Sequence, residues 1–124
     1  MTTQIAGITF RYSHTIGRDE NSGIGFRNPW AMVRGAGDLI YVVNRAGDLR
    51  PDAKRVTMCT VGEEYLGEFA RGSNMIGETE QVAFESTLFW PTSIALDQSG
   101  NVYFADEWLN RISIFTKEIV EGPF

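Results

Sequence analysis

Lysine is nearly missing from this chain: only Lys54 and Lys117 occur among its 124 residues. The remaining basic side chains are scattered arginines, and 16 acidic against 11 basic residues leave a formal net charge of −5. Nucleic-acid binding draws on clustered Lys and Arg that neutralise phosphates, so that class of partner is disfavoured. Cysteine occurs once, as Cys59, which allows no internal disulfide and no cysteine-built zinc site. Histidine also occurs once, as His14, and a three-histidine zinc centre cannot come from a single chain of this sequence. No apolar run approaches the ~20 residues that span a bilayer, so no membrane partner is expected. The opening "MTTQIAGITFRYSHTIG" has no basic stretch followed by an unbroken apolar core, so no secretory signal is visible and a cytoplasmic protein is the default expectation. "GIGF" (23–26) precedes no helical pattern, so no phosphate cradle is expected there.

What the chain does have is alternation. Hydrophobic content is 43%, enough for a packed core in one domain of this length. The stretch "FWPTSIALDQSGNVYFADEWLNRISIF" (89–115) holds three alternating apolar runs separated by a Ser-Gly-Asn turn and an acidic corner. It has a counterpart in "FRNPWAMVRGAGDLIYVVNR" (26–45): Pro29 stands 62 positions before Pro91, and Tyr41 stands 62 before Tyr103. "KRVTMCT" then answers "NRISIFT" at a spacing of 56, because the loop "AGDLRPDA" lengthens the first copy. Period-two alternation rich in Val, Ile, Tyr and Phe, bounded by Gly, Asp and Asn, predicts strands rather than helices. The expected strands are 30–34, 39–43, 54–60 and 64–69 in the first copy, and 92–96, 101–105 and 110–115 in the second. Residues 8–17 have the same strand-then-turn character, as if they were the outer strand of a preceding or neighbouring copy. Residues 72–86 read as a connection with at most one helical turn. Cys59, within "RVTMCTV", is expected to be a small core residue.

A four-stranded antiparallel sheet repeated along a chain is the sequence signature of a β-propeller, whose blades bury their faces only against each other. The second copy carries Pro91, Gly100-Asn101, Tyr103-Phe104-Ala105-Asp106, Asn110-Arg111-Ile112 and Phe115, and in these it closely resembles the NHL repeat. The first copy keeps Pro29, Tyr41 and Arg55-Val56 but has Asn44 at the aspartate position. The resemblance covers about residues 8 to 124 and implies an all-β fold of propeller blades forming a partial ring of about two blades. The first blade would be 26–70, and the second 88–124 with its outer strand cut short. Such rings usually have four to eight blades. Either the chain is a fragment of a longer propeller, or copies associate, three two-blade chains making a six-bladed ring in which 8–17 pairs with a neighbour's second blade.

Physical roles follow for the motif residues. Asp106 is expected to accept backbone N–H groups of the turn that follows it, with Asn44 doing the same more weakly. Arg111 is expected to pair with Asp106 or reach carbonyls of an adjoining blade. Gly100-Asn101 is expected to supply the positive-φ pair of a tight hairpin. His14 is expected at a blade edge, and Trp90 in packing between blades.

The resemblance implies a binding or scaffold module for a protein or small ligand. Loops entering the inner strands form one face of a propeller, which makes Trp30, Arg34, Arg45, Glu107 and Trp108 the candidate ligand-binding residues. The alternative is part of a six-bladed enzyme of the lactonase or lyase kind, with Ca²⁺ or Zn²⁺ in the central channel; His14 and Glu121 would then have to matter. "EGP" (121–123) is similar to a metal-binding motif of gluconolactonase-like propellers. The metal-binding histidines of the peptidyl-hydroxyglycine lyase follow the blade proline, however, and here those positions hold Trp30 and Thr92. Asp97, Asp106, Glu107 and Glu121 are oxygen donors of the type Ca²⁺ takes but form no compact calcium loop, so turn capping or solvation is expected of them. No catalytic residue and no cofactor is assigned.

Overall fold

A computed structural model describes residues 2–18, 25–45, 55–70, 90–107 and 110–118. Among them the fold is all-β, with three antiparallel sheets of two, four and three strands. The first is a hairpin of β1 (Thr2–Ile5) and β2 (Ile8–Arg11). The second runs in chain order through β3 (Pro29–Arg34), β4 (Leu39–Asn44), β5 (Arg55–Thr60) and β6 (Tyr65–Phe69). The third consists of β7 (Pro91–Leu96), β8 (Val102–Asp106) and β9 (Arg111–Phe115). No helix among the described residues is long and apolar enough to cross a membrane.

The repeat seen in the sequence is a repeat of register. Met32 faces Val42 and Val33 faces Tyr41, while 62 positions later Ile94 faces Phe104 and Ala95 faces Tyr103. Even the irregularity recurs: the register shifts between Pro29 and Ala31, and again between Pro91 and Ser93. Proline has no N–H to give the ladder, so it is tolerated at the first position of a strand or at a bulge. Here each proline occupies both. The N–H of Arg45 bonds to the Asn28 carbonyl at 3.1 Å, and 62 positions later that of Glu107 bonds to the Trp90 carbonyl at 3.0 Å.

Alternation gives each sheet two faces, and the two larger sheets stack through one face of each. Val33, Tyr41, Val43, Val56, Met58 and Phe69 of the four-stranded sheet meet Ile94, Leu96, Val102, Phe104 and Phe115 of the other. Phe104 is fully buried, with Phe69 at 6.0 Å and Phe115 at 5.6 Å in edge-on contacts. Burying a side chain of that size contributes roughly 1.5–3 kcal/mol, so this aromatic seam is a main source of cohesion between the sheets. The opposite face of the four-stranded sheet buries Ile40, Val42 and Cys59, partly under Ile16 and Phe26. Cys59 is thus the core residue expected of it, and burial pushes its thiol pKa up.

Two expectations are corrected. Residues 8–17 are not one strand: β2 ends at Arg11, and β1, absent from the sequence reading, pairs with it. The two-residue turn Ala6-Gly7, with φ of 53° and 78°, is the hairpin signal that was overlooked. In the Gly100 turn only Gly100 is left-handed, at φ 86°. Asn101 serves through its side chain instead, its Nδ2 donating to Asp97 Oδ2 at 2.9 Å. Asp106 also reaches back along the chain. Its carboxylate accepts the N–H of Trp90, 16 residues earlier, at 3.2 Å to each oxygen. The expected connection at 72–86 and the end of the second copy lie outside the described residues.

Candidate functional site

The chain ends β4 and β8 with a polar residue that is buried: Asn44 is fully covered and Asp106 is 3% exposed. Each accepts a backbone N–H from the segment that enters its own sheet, Arg27 to Asn44 Oδ1 at 2.9 Å and Trp90 to Asp106. Asn44 also uses its amide nitrogen as a donor. Asn44 Nδ2 donates to the Arg55 carbonyl at 3.2 Å and to Thr57 Oγ1 at 2.9 Å. A carboxylate at position 44 would have no proton to donate to either oxygen. Thr57 passes the hydrogen bond on to the Gly25 carbonyl at 3.0 Å, which Arg55 Nη2 also reaches at 3.2 Å. Arg55 Nε pairs with Glu68 Oε2 at 2.8 Å. These caps hold the chain just before each inner strand.

The residue after each cap is what the caps position: Arg45 after Asn44 and Glu107 after Asp106. Arg45 is 8% exposed, and its guanidinium carbon lies 3.9 Å from the ring centre of Trp30 and 4.1 Å from that of Trp90. A cation held between two indoles is attracted to both ring faces, more strongly where water is excluded. Desolvation pulls the Arg45 pKa below its ordinary value, while the negative charges of Glu107 and Asp106 pull it back up. Trp30 belongs to the first copy and Trp90 to the second, so the stack joins the two sheets at one end. Its outer surface is open, with Trp30 58% exposed and Glu107 exposed beside it. Next to Trp30 is an apolar cleft of about 300 Å³ lined by Ile16, Phe26, Pro29, Met32 and Val42 among others.

Of the five candidate residues, the structure thus brings Trp30, Arg45 and Glu107 together. Trp90, expected only to pack between the repeats, completes the group. Arg34 does not join them. It closes the other end of β3, donating from Nη2 to the Gly37 carbonyl at 2.9 Å, on a second cleft that also holds Asp97 and Lys117. Trp108 and Glu121 lie outside the described residues. His14 is exposed, with Nε2 2.8 Å from the Val61 carbonyl and Nδ1 2.8 Å from Ser13 Oγ. Among the described residues, no group of three or more His, Cys, Asp or Glu is placed to hold a metal ion. The cleft beside Trp30 was missed because Ile16, Phe26 and Met32 read separately as loop and strand residues. The hint available was the offset of 62, which sets Arg45 opposite Glu107 in equivalent positions, one of each charge.

At the far end Asp97 organises the β7–β8 turn. Its carboxylate accepts the N–H groups of Ser99 and Asn101, the Asn101 amide and the Tyr103 hydroxyl at 2.9–3.0 Å. These donors, the Asn101 amide foremost, hold its pKa below the usual carboxylate range. That account makes Asp97 the organiser of this turn.

No family model matches the chain, and no curated protein matches it. Its functional reading therefore rests on the residues themselves.

Proposed function

We propose that the chain supplies two blades of an NHL-type β-propeller and serves as a binding or scaffold module. Its recognition surface is the end that carries Trp30, Arg45, Trp90 and Glu107. The observation that carries this reading is the Arg45 stack. Two aromatic rings from different repeats are fixed on one cation, and one of them remains 58% exposed beside an apolar cleft. A rigid exposed indole bordered by an apolar recess is the usual anchor of a protein-recognition surface, because it offers area at little cost in side-chain entropy. A protein segment that presents an apolar side chain to the cleft, with a basic group near Glu107, is the partner this chemistry suits.

The experiment is a hydrogen–nitrogen NMR screen of the intact chain against short peptides of that composition. Shifts should cluster on the Trp30 and Trp90 indole N–H groups, and Trp30→Ala should weaken binding at least tenfold. Peptides that bind while leaving both indoles unmoved, or that bind Trp30→Ala as well as wild type, would refute the reading.

A further inference from the structure

The two copies treat one tyrosine differently. In the second copy the Tyr103 hydroxyl donates to Asp97 Oδ2 at 3.0 Å. At the offset of 62, Tyr41 corresponds to Tyr103 and Gly35 to Asp97. Gly35 has no side chain to offer as an acceptor, and none fits: a β-carbon there would come within 2.9 Å of the Tyr41 ring. Tyr41 is 5% exposed, and its hydroxyl has no hydrogen-bond partner among the described residues. A buried tyrosine ordinarily finds a partner for its hydroxyl, so the first copy lacks an acceptor that the second copy carries in its own chain.

Tyr41 lies on the cleft of about 450 Å³ between the end of β3 and the β7–β8 turn. Arg34 and Lys117 share that cleft, and neither is in an ion pair among the described residues. Arg34 donates to the Gly37 carbonyl, and a guanidinium has further donors to give. The stem of Lys117 lies against Gly100, where a β-carbon would come within 2.8 Å of its Cδ. In a chain with a net charge of −5 and only two lysines, two cations on one cleft stand against the general sign of the molecule. Asp97 is the opposing charge there, but four donors already engage its carboxylate.

A second recess of about 310 Å³ adjoins the first. It shares Tyr41, Gly100 and Lys117 and continues over Met58, Phe69 and Phe115, with the exposed Glu118 on it as well. Phe69 and Phe115 meet edge-on at 5.5 Å, which gives the recess an aromatic wall. A few convergent polar donors beside an apolar wall, in a space of this size, is the construction of a small-molecule site.

We propose that the two recesses form one binding site for a small organic acid with a ring-sized apolar body. Its carboxylate accepts the Tyr41 hydroxyl and pairs with Arg34 and Lys117, taking toward Tyr41 the part that Asp97 takes toward Tyr103. Its apolar body lies along Met58, Phe69 and Phe115. A neutral amide of the same shape brings no charge to the two cations and is discriminated against. The site stands at the opposite end of β3 from Trp30 and needs nothing from the peptide-binding reading.

The test is a hydrogen–nitrogen NMR titration of the full chain with sodium phenylacetate, beside acetate and neutral phenylacetamide. Phenylacetate should give saturable shifts at the Gly35, Gly100 and Lys117 amides, and both controls should bind at least tenfold more weakly. Lys117→Met should weaken phenylacetate about tenfold, the worth of one charge-assisted bond. Tyr41→Phe removes a hydroxyl that has no partner among the described residues, so affinity should fall several-fold with urea stability unchanged. Tyr103→Phe, which loses the bond to Asp97, should instead cost stability and spare binding. No saturable shifts at millimolar phenylacetate, or equal binding of acetate or phenylacetamide, would overturn the proposal. So would a Tyr41→Phe or Lys117→Met variant that binds phenylacetate as tightly as wild type, or a Tyr41→Phe variant that loses stability instead of affinity.

Discussion

Replacing Arg45 by methionine removes the cation from between Trp30 and Trp90 while keeping most of its apolar volume. The contact to the exposed Trp30 is worth about 0.5–1 kcal/mol, and that to the partly buried Trp90 up to about 2 kcal/mol. The nearby charges of Glu107 and Asp106, which raise the Arg45 pKa, also lose a cation beside them. Methionine recovers part of the packing, because a thioether is attracted to aromatic rings. The net loss expected for Arg45→Met is about 2 kcal/mol, a fall of roughly 8 °C in midpoint for a domain of this size. Arg45→Lys keeps the charge but not the planar group that lies flat on two rings, so about 1 kcal/mol is expected. The assay is urea unfolding followed by circular dichroism and by tryptophan emission, with Trp90→Leu added to complete a double-mutant cycle. The cycle should return a coupling of about 1 kcal/mol or more between positions 45 and 90. A loss under about 0.5 kcal/mol for Arg45→Met, or additivity of the two substitutions, would refute the idea that this stack ties the repeats together.

Further expectations follow from the same geometry. Phe104→Ala, which empties the seam between the two larger sheets, should cost about 3–5 kcal/mol in urea unfolding; Phe104→Leu should cost less than half as much. Asn44→Asp should destabilise by about 2–3 kcal/mol, because a buried carboxylate would replace an amide that donates to the Arg55 carbonyl and Thr57. The reverse exchange, Asp106→Asn, should be milder, since an amide oxygen still accepts the Trp90 N–H. Asp97 and Glu63 are both held below the usual carboxylate range, Glu63 chiefly by the Gly17 N–H. A depressed pKa stabilises the fold above the unfolded-state value, so that contribution should be lost as pH falls below about 4. Asp97→Asn should flatten this acid limb in a series of melts between pH 7 and pH 2. Addition of Ca²⁺ or Zn²⁺ should leave the melting midpoint unchanged; a saturable rise would instead favour the metal-dependent enzyme alternative.

The strands of the two larger sheets and their pairing order were legible in the sequence because they are set by local rules. Alternation marks the strands, glycine and Asx residues mark the turns, and a spacing of 62 shows that the pattern is stated twice. The same local rules marked Cys59 as a core residue and singled out Trp30, Arg45 and Glu107 near the ends of strands. What they could not set was which end each residue shares with which. Arg34 and Trp30 belong to one strand and close opposite ends of it, whereas Arg45 and Trp90 stand 45 positions apart and touch. Asp106 bonds back to Trp90, 16 residues earlier, because the inner strand's entry segment is folded against it. Which of two apolar faces is buried was likewise decided only by stacking. Alternation supplies two sides to every strand, but packing one sheet on another covers a single side of each and leaves the rest for a neighbour.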